Sequence, residues 1–152
     1  MNDLAEAKDR TLTIERTFDA PLTLVWAAWS DPAHIANWWG PNGMQTEVGA
    51  HDFRVGGSWR YSMKMPNGGL FIAEGVYAEI IEHEKIVTSA EFKPMTEGVE
   101  MHMIFKEVDG KTHFSFHVVH PTEAYAKQQE DMGFFNGWGS TFERLSEYLQ
   151  SA

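Results

Sequence analysis

Apolar and polar residues alternate along most of the chain, and this two-residue period is typical of β-strands. The pattern begins at residues 11–18, where Leu12, Ile14 and Phe18 share one face. Further strands are predicted at 44–50, 58–65, 70–81, 85–92, 99–107 and 112–119. Because the gaps between them are short, we expect an antiparallel meander of about seven strands.

Asp109-Gly110 is the clearest turn signal, since both central residues of a type I′ turn need positive φ. A two-residue loop there pairs Val108 with Lys111. Counting back along both strands predicts three apolar pairs on one side: Phe105–Phe114, Met103–Phe116 and Met101–Val118. These pairs should face the core. The other side would carry His102 opposite His117 and Lys106 opposite His113.

Two short helices are predicted directly after the first strand. Pro21 suits a first helical turn, and an apolar stripe with helical spacing follows it, made of Leu24, Val25, Ala28 and Trp29. Ser30-Asp31-Pro32 breaks this helix and begins a second one at about 32–37.

A long helix is predicted at the C-terminus. Thr122 suits the N-cap, and the helix should run to about Gln150. Its apolar stripe consists of Met132, Phe135, Trp138, Phe142, Leu145 and Leu149. Three glycines, Gly133, Gly137 and Gly139, interrupt the stripe, and each is unfavourable inside a helix. A kink, a loop before a helix starting near Phe134, or close packing on the sheet would explain them.

Composition narrows the class of protein. The length of 152 residues fits one domain, which we place at 11–150 after a polar tail at 1–10. Twenty-two acidic against twelve basic residues give a net charge of −10, which is unfavourable for binding nucleic acid or anionic lipid. The lack of cysteine excludes disulfides, thiolate metal sites and cysteine nucleophiles. With no signal peptide and no apolar window of membrane-spanning length, we expect a cytoplasmic protein without membrane insertion.

The chain is rich in bulky apolar side chains, with six Trp, ten Phe, four Tyr and eight Met. A helix across a curved sheet encloses a volume that such residues would line. Trp138 is the strongest candidate, because an indole N–H gives an apolar wall one polar group. Phe134 or Phe135 would join it in the roof. The predicted ligand-binding residues are Trp38, Trp59, Tyr61, Met63, Tyr77, Met101, Met103, Phe105, Phe116, Phe135 and Trp138.

The sequence contains no recognisable catalytic motif and predicts no cofactor. Glu74 lies among apolar residues of strand 70–81, and the pattern leaves open which face of that strand points inward. If a cavity-facing acid or base exists, the nearest candidates are Glu74, Glu79, Glu91 and Tyr77. The cross-strand pair His102–His117 lacks a third ligand, so we expect a solvated pair and no metal site.

Several short motifs carry a family resemblance across about residues 11–150. They are Arg16-Thr17-Phe18-Asp19-Ala20-Pro21, Val25-Trp26, Trp38-Trp39-Gly40-Pro41, Asp52-Phe53-Arg54-Val55-Gly56-Gly57-Ser58-Trp59-Arg60, Gly75-Val76-Tyr77-Ala78-Glu79-Ile80, and Gly137-Trp138 followed by Leu145 and Tyr148-Leu149. In this order they resemble the Bet v 1-like, START-related (SRPBCC) superfamily, and more narrowly the family of the activator of heat-shock-protein ATPase C-terminal domain. The resemblance implies an α+β helix-grip fold, with a curved antiparallel sheet, two short helices after strand 1 and a long C-terminal helix over the sheet. It implies no particular reaction.

Three functions agree with these features. The leading hypothesis is a binding protein whose partner is a small hydrophobic or aromatic molecule. The first alternative is an enzyme of the cyclase, hydratase or hydrolase type that acts on a small apolar substrate, an inference by analogy with related folds. The second is an interaction protein, either stress- or chaperone-linked or a homodimer built on the sheet edge or on the Trp38–Trp39 pair.

Overall fold

A single antiparallel sheet of seven strands forms the frame of the molecule. The computed structural model describes residues 2–40, 45–65, 67–93 and 96–151. The strands are β1 (Thr11–Phe18), β2 (Gln45–His51), β3 (Ser58–Lys64), β4 (Leu70–Ile81), β5 (Lys85–Lys93), β6 (Thr96–Val108) and β7 (Lys111–Val119). Their order across the sheet is β1-β7-β6-β5-β4-β3-β2, so the predicted meander is confirmed and β1 closes it beside β7. Met44, the predicted first residue of β2, lies outside the described residues.

The β6–β7 hairpin has the register that the sequence predicts. Asp109 and Gly110 take φ values of 53° and 78°, as a type I′ turn requires. Val108 pairs with Lys111, and the three apolar pairs Phe105–Phe114, Met103–Phe116 and Met101–Val118 follow. All six of these apolar side chains are buried, which confirms that this face of the hairpin belongs to the core.

Two short helices follow β1, α1 (Leu22–Ser30) and α2 (Pro32–Trp38), as predicted. The Asp31 side chain accepts a hydrogen bond from the Ala33 backbone N–H at 2.9 Å, and Pro32 occupies the first turn of α2. An N-cap acceptor followed by proline fixes where the second helix begins. The helix then ends between the two adjacent tryptophans, since Trp38 is its last residue and Trp39 has extended backbone.

The C-terminal region contains two helices, α3 (Glu123–Asp131) and α4 (Phe134–Ser151). Thr122 caps α3 by accepting a hydrogen bond from the Tyr125 N–H at 3.1 Å. Gly133 has a φ of 104°, a conformation that side-chain-bearing residues rarely adopt, and it separates the two helices. The predicted loop before a helix starting near Phe134 is therefore observed and explains Gly133, whereas Gly137 and Gly139 lie within α4. The prediction of one helix from Thr122 to Gln150 is wrong, because this turn divides the region into two helices.

Strand β4 turns Ala73 and Tyr77 into the core and leaves Leu70 and Val76 exposed. Gly75 lies between Ala73 and Tyr77 in the strand. A Cβ added to it would be 1.9 Å from the Ser89 carbonyl oxygen and 2.9 Å from the Trp59 indole nitrogen. Only glycine allows the strand to approach its neighbour this closely. The inward face of this strand, which the pattern left open, thus carries an aromatic residue and the outward face carries Glu74.

The polar segment ahead of β1 is attached to the sheet. The Asn2 backbone N–H donates to the Glu100 carboxylate at 2.8 Å, and the Arg10 guanidinium donates to the His120 carbonyl at 2.7 Å. Ala7, between these two contacts, is buried. Among the described helices, none is both long enough and apolar enough to cross a membrane.

Candidate functional site

A pocket of about 240 Å³ lies at the corner where α3 turns into α4. Its walls come from the end of α2, from strands β3 to β6, and from both C-terminal helices. The described residues that line it are Trp39, Gly40, Met63, Phe71, Phe92, Thr96, Gln129, Met132, Gly133, Phe134, Gly137, Trp138 and Thr141. Most of this lining is aromatic or thioether surface, which is typical of a small-molecule site.

The pocket is open because Gly133 and Gly137 have no side chains that would fill it. The Gly133 turn directs α3 away from the line of α4, and Gly137 offers no side chain one turn later. Apart from its chain neighbours and the backbone of its own helix, no atom of the described residues lies within 4 Å of the position that a Cβ on Gly137 would take. Across this gap, the ring of Trp138 contacts Phe116 at 4.6 Å and Trp39 at 5.7 Å between centroids. The aromatic contacts hold the wall in place while the glycines leave the volume empty.

The polar groups of the pocket are few and uncharged. Thr96 Oγ1 donates to Gln129 Oε1 at 2.6 Å, and Thr141 Oγ1 donates to the Gly137 carbonyl at 3.1 Å. Gln129 is only 8 % exposed. Within the described lining there is no Asp, Glu, Lys, Arg or His. The site therefore offers apolar contact and hydrogen bonding, without a titratable side chain.

The predicted ligand-binding residues divide into three groups. Met63 and Trp138 line the pocket. A separate inner void of about 10 Å³, no more than the size of one water molecule, is lined by Trp59, Tyr61, Tyr77, Met101 and Met103. The remaining four residues line neither space: Trp38, Phe105 and Phe116 are packed in the core, and Phe135 is 42 % exposed on the outside of α4.

Trp38 lies in the core, and its neighbour Trp39 lines the pocket. Trp38 is 0 % exposed, and its indole N–H donates to the Ala28 carbonyl at 3.0 Å, which holds it beneath α1. Trp39 follows the end of the helix, and its extended backbone directs its ring between the pocket and the inner void. The sequence shows the pair but not the helix end that separates the roles of the two rings.

The family model described as "Activator of Hsp90 ATPase homolog 1-like protein" matches residues 19–150. The chain belongs to this family. The match includes α1, α2, all elements from β2 to α3, and α4 up to Gln150. It therefore includes all the described lining residues of the pocket. No curated protein matches the sequence.

Solved structures share the fold of this family member over nearly its whole length. Protein Ms6760 from Mycobacterium smegmatis is 26 % identical, with a TM-score of 0.85 over 99 % of this chain and 96 % of that one. A protein from Arthrobacter aurescens is 21 % identical, with a TM-score of 0.87 over 100 % and 91 % of the two chains. An AHSA1-like protein from Aeromonas hydrophila is 21 % identical, with a TM-score of 0.76 over 93 % and 92 %. These similarities show the α+β helix-grip fold of the Bet v 1-like superfamily.

Three of the proposed acid–base residues in this family member form ion pairs away from the pocket. Glu74 contacts Lys93 Nζ at 2.9 Å and Arg60 Nε at 3.3 Å. The hydrogen bond from Lys93 lowers the pKa of Glu74 below its usual value. Glu79 pairs with Lys85 at 3.0 Å, and Glu91 lies 3.5 Å from Lys93. With its pKa lowered by Lys93, Glu74 is not a proton donor at neutral pH.

Tyr77, the fourth acid–base candidate, is buried beside the inner void. Burial raises the pKa of Tyr77 and also that of the neighbouring Tyr61. The Tyr61 hydroxyl donates to His51 Nδ1 at 2.6 Å, because His51 Nε2 must donate to the Ser30 carbonyl at 2.9 Å. Burial lowers the pKa of His51. This set of neutral groups ties β2 and β3 to the end of α1, and the alternating pattern gave no sign of it.

The pair His102–His117 has the predicted register, but it is not solvated as expected. His102 is only 2 % exposed, and its Nε2 lies 2.7 Å from Glu100 Oε1, the carboxylate that also accepts from Asn2. The N-terminal segment and this carboxylate explain the burial, which alternation within one hairpin could not reveal. His117 Nδ1 pairs with Thr13 Oγ1 at 2.9 Å. Among the described residues, no group of three or more His, Cys, Asp or Glu side chains could hold a metal ion.

Several lining residues were missed by the sequence reasoning. Phe71 and Phe92 lie on the inward face of adjacent strands, and they follow once the inward face of β4 is known. Thr96 and Gln129 come together from β6 and α3, 33 residues apart in the chain. Gln129 lies in a polar stretch that predicts a solvated helix, and no local pattern marks it as buried.

Proposed function

We propose that this family member binds a small hydrophobic or aromatic molecule in the pocket at the α3–α4 corner. The observation that carries the proposal is a preformed volume of about 240 Å³ bordered by Trp39, Trp138 and other aromatic side chains. Apolar surface buried from water contributes roughly 25 cal/mol per Å², so contact with these rings would supply most of the affinity.

The volume limits the size of the ligand. An apolar cavity of about 150 Å³ in another protein binds benzene. At about 240 Å³, this pocket has room for a molecule of one or two fused rings. Next to the pocket, the core between sheet and α4 is packed, since Phe114, Phe116 and Phe142 are almost completely buried there. A long lipid chain would have to displace this core.

The chemistry of the lining favours binding over catalysis. General acid–base work needs a titratable group within hydrogen-bond reach of the substrate. The described lining has none, and Glu74 and Glu91 lie on the opposite side of the sheet. Tyr77 borders only the inner void, which is too small for a substrate.

Interaction through the Trp38–Trp39 pair has less support. Both indoles are almost completely buried, so they form no exposed apolar patch of the kind that marks a protein interface. A binding protein for a small molecule therefore remains the function that the arrangement supports best.

A titration with indane, a neutral two-ring hydrocarbon, tests the proposal. We expect saturable backbone amide shifts in ¹H–¹⁵N spectra, centred on Gly133, Gly137 and Trp138. The variant Gly137→Leu should lose binding, because its side chain would occupy the empty volume.

Gly139→Leu is the matched control for this experiment. Residue 139 is in the same helix and is not among the lining residues, and a Cβ there would meet only the flexible end of Arg16 at 3.6 Å. The control should bind indane like the wild type. If indane produces no saturable shifts in the wild type, or if Gly137→Leu binds it equally well, the proposed function is wrong.

A further inference from the structure

Gln129 carries an amide donor that the protein itself does not satisfy well. Its Oε1 accepts the Thr96 hydroxyl at 2.6 Å, so its Nε2 must point the other way. The partner of Nε2 there is the thioether sulfur of Met132, at 4.0 Å. Thioether sulfur is a weak acceptor, and a buried amide N–H without a good acceptor is unfavourable.

The orientation of this amide follows from its two neighbours. With Oε1 and Nε2 exchanged, the carbonyl oxygen would face the Met132 sulfur, and neither atom could donate a hydrogen bond. The observed orientation gives Oε1 one strong bond from Thr96 and leaves Nε2 with only the weak sulfur acceptor of Met132. Gln129 and Met132 both border the pocket, so this donor lies in its wall.

The charge of the site limits the ligand that this donor would meet. No charged side chain lines the described part of the pocket, and the chain has a net charge of −10. An anionic ligand would be buried without a positively charged side chain beside it, which is unfavourable. A cationic ligand would be buried without a carboxylate, which is equally unfavourable. A neutral acceptor, such as a carbonyl or ether oxygen, meets the amide without this cost.

We infer that Gln129 is a specificity-determining residue, whose amide donates a hydrogen bond to an oxygen acceptor on a neutral aromatic ligand. The inference rests on the proposed function and adds to it the chemical class of the ligand. The ligand is then a one- or two-ring molecule with one acceptor oxygen, bound with its rings against Trp39 and Trp138. Its oxygen takes the place of the Met132 sulfur as the partner of Gln129 Nε2.

Two probes of the same shape test this inference. Indane and 1-indanone share one bicyclic frame and differ by a carbonyl in place of a methylene. We expect the wild type to bind 1-indanone about fivefold more tightly than indane, as one added neutral hydrogen bond allows. The Gln129 side-chain amide signals should shift with 1-indanone and not with indane.

Three variants locate the donor. Gln129→Met should remove the preference and bring the affinities for indane and 1-indanone to within about twofold of each other, since it removes the donor and leaves the aromatic rings of the pocket. Gln128→Met, an exposed position on the same helix, is the matched control and should keep the preference. Trp138→Phe tests the rival donor, because the Trp138 indole N–H lies in the same pocket and makes no hydrogen bond in the part of the chain that the structure describes. This variant should weaken the binding of both probes and leave the ratio of their affinities unchanged.

The outcomes separate the inference from the function beneath it. If the wild type binds both probes equally, or if the preference survives in Gln129→Met, the role of Gln129 is overturned while the binding pocket stands. Loss of the preference in Trp138→Phe alone would assign the donor to the indole and overturn the inference. If neither probe binds the wild type, the proposed function fails and the inference fails with it.

Discussion

Trp38 and Trp39 are neighbours in sequence with ring centroids 5.7 Å apart, and they have different tasks. The Trp38 ring is sealed beneath α1 by its hydrogen bond to Ala28. The Trp39 ring separates the pocket from the inner void.

Substitutions of the two residues should therefore separate stability from binding. Trp38→Ala should lower the free energy of unfolding by about 3–5 kcal/mol, because it leaves a large cavity in the core. Trp39→Leu should weaken indane binding severalfold with a smaller loss of stability. Urea denaturation and probe titration on both variants measure the two effects. Equal losses of affinity per folded molecule in the two variants would contradict this separation.

The glycines at the corner of α3 and α4 should respond in opposite directions to the same substitution. Gly133→Ala forces a side chain into a left-handed backbone and should cost about 1–2 kcal/mol of stability. Residue 137 lies inside α4, with open space where a Cβ would be. Gly137→Ala should therefore raise the free energy of unfolding by about 1 kcal/mol. Thermal unfolding of both variants tests this. A stabilised Gly133→Ala would show that the positive φ is not required.

Acidification should weaken the fold through one buried and two half-buried histidines. Burial lowers the pKa of His51, and burial has the same effect on His117 and His120. Below the ordinary value of 6.5, the unfolded chain therefore binds more protons at these positions than the folded protein does. Above pH 6.5, these histidines should not change the free energy of unfolding. As the pH drops from 6.5 toward their lowered pKa values, the free energy of unfolding should fall.

His51→Gln should reduce this dependence. Urea denaturation at pH 7.5 and 5.5 would show a smaller difference in the variant than in the wild type, and histidine NMR titrations would give a His51 midpoint below 6.5. Stability that rises on acidification over this range would contradict the prediction.

Glu74 should be dispensable for binding. Its carboxylate pairs with Lys93 and Arg60 on the outward side of the sheet. Glu74→Gln should leave the affinity for indane and for 1-indanone unchanged, and should alter stability little, because exposed ion pairs are screened by solvent. A clear loss of affinity measured by the same titration would place this carboxylate in the site after all.

The elements that the sequence predicts well are those with local causes. Asp109-Gly110 determines a turn, and alternation then determines which residues of β6 and β7 meet. The family motifs add the order of helices and strands. In these regions, each local preference agrees with the final structure.

The pocket depends on relations that no local pattern contains. Gln129 is buried because α3 lies against Thr96 of β6, and Trp39 lines the pocket because α2 stops one residue earlier. Trp59 and Tyr61 border the inner void instead, together with Trp29 of α1, whereas Met63 at the far end of the same strand reaches the pocket. Alternation determines the face of a strand but not the depth of each side chain beneath a helix.

The pairing of β1 with β7 also bears on how the protein is made. Thr11 pairs with Val119 and Phe18 with Thr112, so the first strand to leave the ribosome waits for the last strand of the sheet. Until then, Ile14 and Phe18 have no partner strand, and such long-range pairing slows folding. Synthesis must therefore have passed Val119 before the sheet can close, and until then the first strand of the sheet is open to aggregation or to a chaperone.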